Sequence, residues 1–442
     1  MRYLQVIEKT TQMYLKRILL LICLYWPSVM ALPQVPGFFI KDDVRKVKIP
    51  FYSSNSLIII AVSINGGPKI NFLVDTGVRS NILFSKKLGD ALGLEYSRRL
   101  NIVGADGTSE IWAQVSPINS IDLGDVEGRL QSLLVLEEDF FELEAVIGVP
   151  VYGIIGYDFF KYNPVKINYD DGFMEFFQEK ALKWRPPFYR KLPLEVMDSK
   201  AYIQAKVNQK NGPTIPAKLL IDTGANHGLL LNRETSDQIT MPQLFIESEL
   251  GQSLGGVLYG FIGRVNVLKF GGGMSLREVL TSYPEETAFS DVIKSTGRQG
   301  SLGSEVLGRM RIILDYPRGR VFLRKGENFY DPFQFDMSGM NIKKTPTDEV
   351  RIYVSNVRPG SAAYRAGVLP YDEILSINKI PVFLWEMSEV FKLMKSEEGK
   401  EIQLELRRYL NNDLNIFRDI QVSIYLKKRS EERRVGKECV KQ

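Results

Sequence analysis

The sequence predicts a mainly β protein made of two β-rich units from an internal repeat, followed by a small α+β domain. Three observations predict this. The pentapeptide Leu73-Val74-Asp75-Thr76-Gly77 returns as Leu220-Ile221-Asp222-Thr223-Gly224, 147 residues on from Asp75 to Asp222. Other landmarks keep the same offset: Gly104 matches Gly251, Trp112 matches Tyr259, Ile155-Gly156 matches Leu302-Gly303, Tyr169 matches Tyr316 and Gly172 matches Gly319. A single Asp-Thr-Gly carries little information, whereas a shared register across many positions marks a duplicated unit. Finally, β-branched and apolar runs separated by Gly and Asn turns fill the repeat, and a different alternation of strands and short helices begins near residue 336.

The chain has 442 residues, too many for one hydrophobic core, and its 44% hydrophobic content is enough to fill several. Residues 1–31 read as a signal peptide, with Lys16 and Arg17 ahead of the apolar run 18–26 and a cleavage site at Val29-Met30-Ala31. Met13 is an alternative start, and Ile22 before Cys23 argues against lipidation there. The run is shorter than the roughly 20 residues that span a bilayer, so no membrane span is expected after its removal. The protein is expected to be exported, to a periplasm or the extracellular space. Residues 428–442 have no apolar period, and the string from Arg429 to Cys439 resembles the conceptual translation of a sequencing adapter. They are expected to be non-native and are set aside. The formal charge of +5 then loses its message: the first 31 residues carry +3, the last 15 carry +3, and −1 remains. Nucleic acid is therefore not an expected partner. Both cysteines, Cys23 and Cys439, fall in these ends, which removes thiol proteases and thiolate metal sites from consideration.

The first unit spans residues 32–182. Its runs 56–64 and 70–74 flank Asn65-Gly66-Gly67, a hairpin signal, and 166–169 and 173–177 flank Asp170-Asp171-Gly172. Residues 85–92 have a helical pattern. Residues 183–194, with Pro186-Pro187, read as a linker opening the second unit, 183–332. There 202–207 and 217–221 flank Asn211-Gly212-Pro213, 311–316 and 320–323 flank Pro317-Arg318-Gly319, Gly271-Gly272-Gly273 turns a hairpin, and a short helix is expected at 277–280.

An Asp at the end of a buried strand is held rigidly. Gly two positions later permits a tight turn and a close approach by a second loop. Two such loops facing each other would bring two carboxylates together. Charges that close cannot both ionise, so the pair shares one proton. The ionised member can then take a proton from water while the protonated one polarises a peptide carbonyl.

On these residues the chain resembles exported aspartic peptidases of the retropepsin and pepsin type. The resemblance covers about residues 45–330 and implies two β-barrel lobes with the active site in the cleft between them. It implies catalytic Asp75 and Asp222, loop support from Thr76, Gly77, Thr223 and Gly224, and no cofactor or metal. The family's apolar pair and Gly behind each catalytic loop are matched by Ile154-Ile155-Gly156 and, with a polar first residue, by Ser301-Leu302-Gly303. Its flaps correspond to residues 102–112 and 250–259. Gly104, Gly107, Gly251, Gly255 and Gly256 would let these close on a polypeptide substrate. Both copies lie in one chain, so a monomer is expected. Ala225 after the second Asp-Thr-Gly fits the family, but Val78 after the first is bulkier than the usual Ser or Ala. A catalytically silent scaffold that binds peptides or protein C-termini therefore stands as the alternative. The one His, His227, is too few for a multi-His zinc site and reads as a loop residue beside the second catalytic turn.

Residues 336–427 lie outside the repeat. The string from Pro359 to Asn378 resembles the bacterial type of PDZ domain, with Ala362 in place of the usual Pro and Tyr371 in place of a Gly. The resemblance implies that a peptide is bound by strand addition. By position, Gly339, Met340, Asn341 and Ile342 would form the loop holding the peptide's terminal carboxylate. A plain interdomain turn is the equal alternative there.

Overall fold

The computed structural model describes residues 35–103, 110–138, 143–253, 256–287, 289–345, 351–411 and 416–428. The expected signal peptide, residues 1–31, and residues 429–442 of the expected non-native tail lie outside them, as do Gly104, Gly107 and Gly255 of the expected flaps.

The fold is mainly β. In the first lobe the β-branched run Leu57–Ile64 forms a strand, and Asn65 and Gly66, at φ 50° and 76°, supply the two left-handed positions of a tight hairpin turn into Lys69–Val74. Lys69–Val74 pairs in parallel with Gly153–Ile155. The path continues through Asn81–Leu83, Val126–Leu136 and Glu110–Asp122, which returns to Leu57–Ile64. The ring is closed, so these strands leave no edge for another chain to pair with. The second lobe closes the same way: Lys200–Asn208, Thr214–Ile221, Gly300–Leu302, Leu229–Leu231, Met274–Pro284, Gly256–Phe270 and back to Lys200–Asn208. In each ring the strand that precedes the Asp-Thr-Gly runs parallel to a three-residue strand.

Two sequence expectations are corrected. Residues 277–280 are not helical. They lie within the strand Met274–Pro284, whose backbone is consumed by pairing with Gly256–Phe270 across the Gly271–Gly273 turn. The 183–194 segment is not all linker either, because Arg190–Pro193 pairs with Arg320–Lys325. The expected helix at 85–92 forms as Lys86–Ala91, with the Ser85 side chain capping Leu88 N.

A third sheet joins the lobes, in the order Arg190–Pro193, Arg320–Lys325, Met310–Asp315, Val165–Asn168, Phe173–Phe177, Lys46–Pro50. At its seam Val165 faces Leu314, Lys166 faces Ile313 and Ile167 faces Ile312. Each strand thus meets the other antiparallel, centred on Lys166 and Ile313, which are themselves 147 residues apart. Such a pairing is a local two-fold axis, and it turns corresponding points of the two lobes toward each other. A single apolar core runs through both barrels and this sheet.

The C-terminal domain has its own core. Its strands follow the order Met340–Lys344, Ile352–Val357, Glu373–Ile377, Glu401–Asn411, Ile416–Tyr425, leaving Met340–Lys344 on the edge. Helix Met387–Met394 begins with a reciprocal capping box between Glu386 and Glu389. Among the described residues no helix is long and apolar enough to cross a membrane.

Candidate active site

The local axis brings Asp75 and Asp222 together. Each follows a buried strand, and each backbone N–H is fixed by the neighbouring three-residue strand: Asp75 N donates to Ile155 O and Asp222 N to Leu302 O, both at 2.9 Å. Behind the carboxylates the two Thr side chains cross over. Thr76 Oγ1 donates to Ile221 O at 2.6 Å and accepts from Thr223 N at 3.1 Å. Thr223 Oγ1 donates to Val74 O at 2.8 Å and accepts from Thr76 N at 3.1 Å. Both Thr are buried, so this network of reciprocal bonds clamps one loop to the other in a water-free setting.

The glycines make the approach possible. Gly77 N donates to Asp75 Oδ1 at 2.6 Å and Gly224 N to Asp222 Oδ1 at 3.2 Å. A Cβ on Gly224 would stand 2.1 Å from Asp75 Oδ2, and one on Gly77 would stand 3.0 Å from Asp222 Oδ1. Each carboxylate therefore rests on the opposite loop's glycine. Burial, and then the neighbouring charge of Asp222, push the Asp75 carboxyl well above the ordinary carboxylate range. Such an upward push is what a second carboxylate in contact produces. Gly224→Ala is expected to displace the Asp75 side chain and cost at least about 10²-fold in activity, as misplacement by about an ångström does. Kinetics of the folded variant on an unfolded protein substrate check this, and retained activity would mean the close contact is not used.

Gly156 and Gly303 close the loops from behind, where a Cβ would meet Val78 O at 2.7 Å and His227 O at 2.1 Å. Val78 follows Gly77 on the first loop. Its carbonyl accepts from Tyr157 N at 3.1 Å and its side chain packs on the apolar cluster of the first lobe, with Leu73, Ile82 and Ile154. The expected flaps fall on the antiparallel pairs of Arg98–Val103 with Glu110–Asp122 and of Ile246–Ser253 with Gly256–Phe270. In the second pair Gly251 sits at a break in register, opposite Leu258 and with φ 149°, and Gly256, opposite Ser253, has φ 142°. Trp112 and Tyr259, at matching positions, are exposed flap aromatics.

Three features near the site escape motif reading. His227 Nε2 lies 2.9 Å from Ser301 Oγ, so the lone His is held by the polar residue of the Ser301-Leu302-Gly303 string. The string Gly251-Gln252-Ser253-Leu254-Gly255 has the spacing of a hydrolase nucleophile elbow. An elbow requires a strand-to-helix turn, however, and Ile246–Ser253 is an antiparallel flap strand. Lys200 and Arg298 also carry charge toward Asp222, and only strand register reveals them.

In the C-terminal domain the proposed carboxylate loop is closed on itself. Asp336 accepts from Ser338 N at 3.1 Å and Gly339 N at 2.7 Å, Ser338 Oγ accepts from Met340 N at 3.1 Å, and Arg358 pairs with Asp336. The amides of Gly339 and Met340 are thus already used by an internal carboxylate and a hydroxyl. Met340 and Ile342 face the core, while Asn341 is exposed. Lys344, at the end of the edge strand, reaches the first lobe, 3.2 Å from Gly148 O and 3.5 Å from Glu144 Oε1. On the neighbouring helix cap, Glu386 accepts from Tyr52 Oη at 3.3 Å.

No curated protein matches the chain. Residues 353–408 match the family described as PDZ domain. Residues 60–159, the stretch that carries Asp75 and the first Ile-Ile-Gly, match the family described as aspartyl protease. The chain thus carries an aspartyl protease domain and, C-terminal to it, a PDZ domain.

Proposed function

We propose that the protein is an aspartic endopeptidase that hydrolyses polypeptides with a water held between Asp75 and Asp222. The observation that carries this reading is the reciprocal Thr76–Thr223 network, which locks the two Asp-Thr-Gly loops face to face with the carboxylates on each other's glycines. Asp75, in the more buried position, holds the proton and donates it toward the scissile carbonyl oxygen. Asp222 takes a proton from the attacking water. As the gem-diol intermediate collapses, Asp222 gives its proton to the nitrogen of the leaving amine and one hydroxyl of the intermediate returns a proton to Asp75, so the dyad is singly protonated again and no covalent intermediate forms. The Val78 side chain is taken up by the apolar cluster of the first lobe, which favours the active enzyme over a silent scaffold.

The two lobes are read as copies of one duplicated unit, so that a monomer contains a whole site. The substrates are unfolded segments of exported proteins, and the flaps close over them. The PDZ domain selects or delivers them by pairing an extended peptide with the edge strand Met340–Lys344. Its grip on a terminal carboxylate would require Asp336 to give up the loop amides.

Activity requires one proton on the dyad. Since Asp75 is raised, that state persists well above the ordinary carboxylate range, and the falling limb of the pH profile is expected there rather than near pH 4–5. Initial rates on an unfolded protein from acid to alkaline pH check it. Activity confined to strongly acidic pH would contradict the assignment of the proton to Asp75, and no hydrolysis at any pH would remove the peptidase reading.

A further inference from the structure

The two lobes place chemically different residues at equivalent positions in register with the dyad. In the first lobe Ile59 faces Leu73 across the hairpin, so continuing that antiparallel register by two residues sets Leu57 opposite Asp75. In the second, Tyr202 faces Leu220, which sets Lys200 opposite Asp222. The short parallel strands add Ile154 beside Leu73 and Ser301 beside Leu220. Just before them, Tyr152 N bonds Asn71 O and Gln299 N bonds Lys218 O, so Val151 corresponds to Arg298. Leu57, Ile59, Val151 and Ile154 form one buried apolar cluster. Their counterparts are Lys200, Tyr202, Arg298 and Ser301.

The second lobe thus has polar side chains at three of these four positions, two of them cationic, and the buried ring of Tyr202 at the fourth. The cations are not consumed internally. Lys200 and Arg298 are half-buried, and neither makes an ion pair or a side-chain hydrogen bond among the described residues; Arg298 Nε is buried without a partner. Glu234 adds to the field at Arg298; its Oε1 is taken up by Asn232 Nδ2 and Ser290 Oγ, both at 3.1 Å, and its Oε2 is buried without a hydrogen-bond partner. Burial, followed by the repulsion of Arg298, holds the Lys200 ammonium below its usual range, and Asp222 and Asp75 act against that. Unpaired half-buried cations are costly unless an anion joins them.

We propose that Lys200 and Arg298 form a subsite of the second lobe that takes an acidic side chain of the substrate. The inference rests on the peptidase reading of this cleft and names its substrate class: polypeptides with Asp or Glu close to the scissile bond. A carboxylate suits Arg298 because the guanidinium offers a planar fork, and Lys200 adds a mobile donor.

The test uses the full chain carrying Asp75→Asn, so that peptides bind without being cleaved, and fluorescence anisotropy of labelled peptides in which a single Glu is walked through an apolar-rich sequence. Matched peptides carry Gln or Leu at the same positions. At one position Glu is expected to bind roughly 10- to 100-fold tighter than Gln, the worth of one charge-assisted hydrogen bond, and the gap is expected to shrink with salt. Adding Lys200→Gln or Arg298→Gln is expected to remove most of the gap, Lys200→Arg to keep it, and Lys200→Leu with Arg298→Val to turn the preference toward Leu. Thermal unfolding of each variant separates loss of recognition from loss of fold. Glu binding no better than Gln at every position, a preference that survives the double substitution, or no binding by any peptide would overturn the proposal. Failure of the wild-type chain to cleave these peptides would instead count against the peptidase reading, with the ranking of binding unchanged.

Discussion

Asp75→Asn and Asp222→Asn are each expected to lower the turnover of an unfolded protein substrate by about 10²–10⁴-fold, the contribution of a positioned acid or base. The two losses should be comparable, because the carboxylates act as one unit and their effects do not add. Asn keeps the volume of Asp and can still accept the amide hydrogen bonds of Gly77 or Gly224, so the clamp behind the dyad survives. What it cannot do is exchange a proton. Loss in only one of the variants would mean the carboxylates do not share a site. The stability of Asp75→Asn carries a second signature. Asp75 has a folded pKa above its unfolded one, so its contribution is fully present below the unfolded pKa and is lost as pH rises through the folded value. The wild type should therefore lose stability on the alkaline side of that window relative to Asp75→Asn, and melting temperatures across pH read this out.

Thr76→Val and Thr223→Val are expected to be the most damaging conservative changes near the site. Valine matches threonine in shape but has no hydroxyl. Thr76→Val would leave Ile221 O without its donor and Thr223 N without its acceptor, both deep between the lobes. Each orphaned buried group costs about 1–3 kcal/mol, so roughly 2–6 kcal/mol of stability should disappear from either variant. The loss should be larger than for Val78→Ala, which trims an apolar contact only. Denaturant unfolding measures it. Activity should fall with stability, because the same bonds set the distance between the carboxylates. A Thr76→Val protein of wild-type stability would mean the lobes are held by the seam sheet alone.

Much of this was legible in the sequence. The pair of Asp-Thr-Gly strings and their constant spacing pointed to two facing loops, and the Asn65-Gly66 turn and the Gly271–Gly273 turn are local chemistry that tertiary contacts did not override. The misread segments are those where local propensity lost to a distant partner. Arg277, Glu278 and Leu280 are good helix formers, yet the strand Gly256–Phe270 lies ready across the turn to pair with them. Residues 190–193 follow a proline-rich stretch but meet Arg320–Lys325, more than a hundred positions later. At Gly339 a glycine discloses a special backbone without disclosing where its amide points, and Asp336 had already claimed it. Lys200 and Arg298 look like ordinary strand-end cations until register sets them beside Asp222. Charge in a cleft is a property of pairing rather than of composition.

A carbon-13 titration of the aspartate carboxyl groups, with Asp75 and Asp222 assigned through their Asn variants, would observe the shared proton itself. Two coupled steps should appear, one far above the other, with the Asp75 resonance retaining its proton beyond the ordinary carboxylate range and shifting when Asp222 is replaced. Two independent titrations near pH 4, each indifferent to removal of the other residue, would show that the loops do not join their carboxylates around one water.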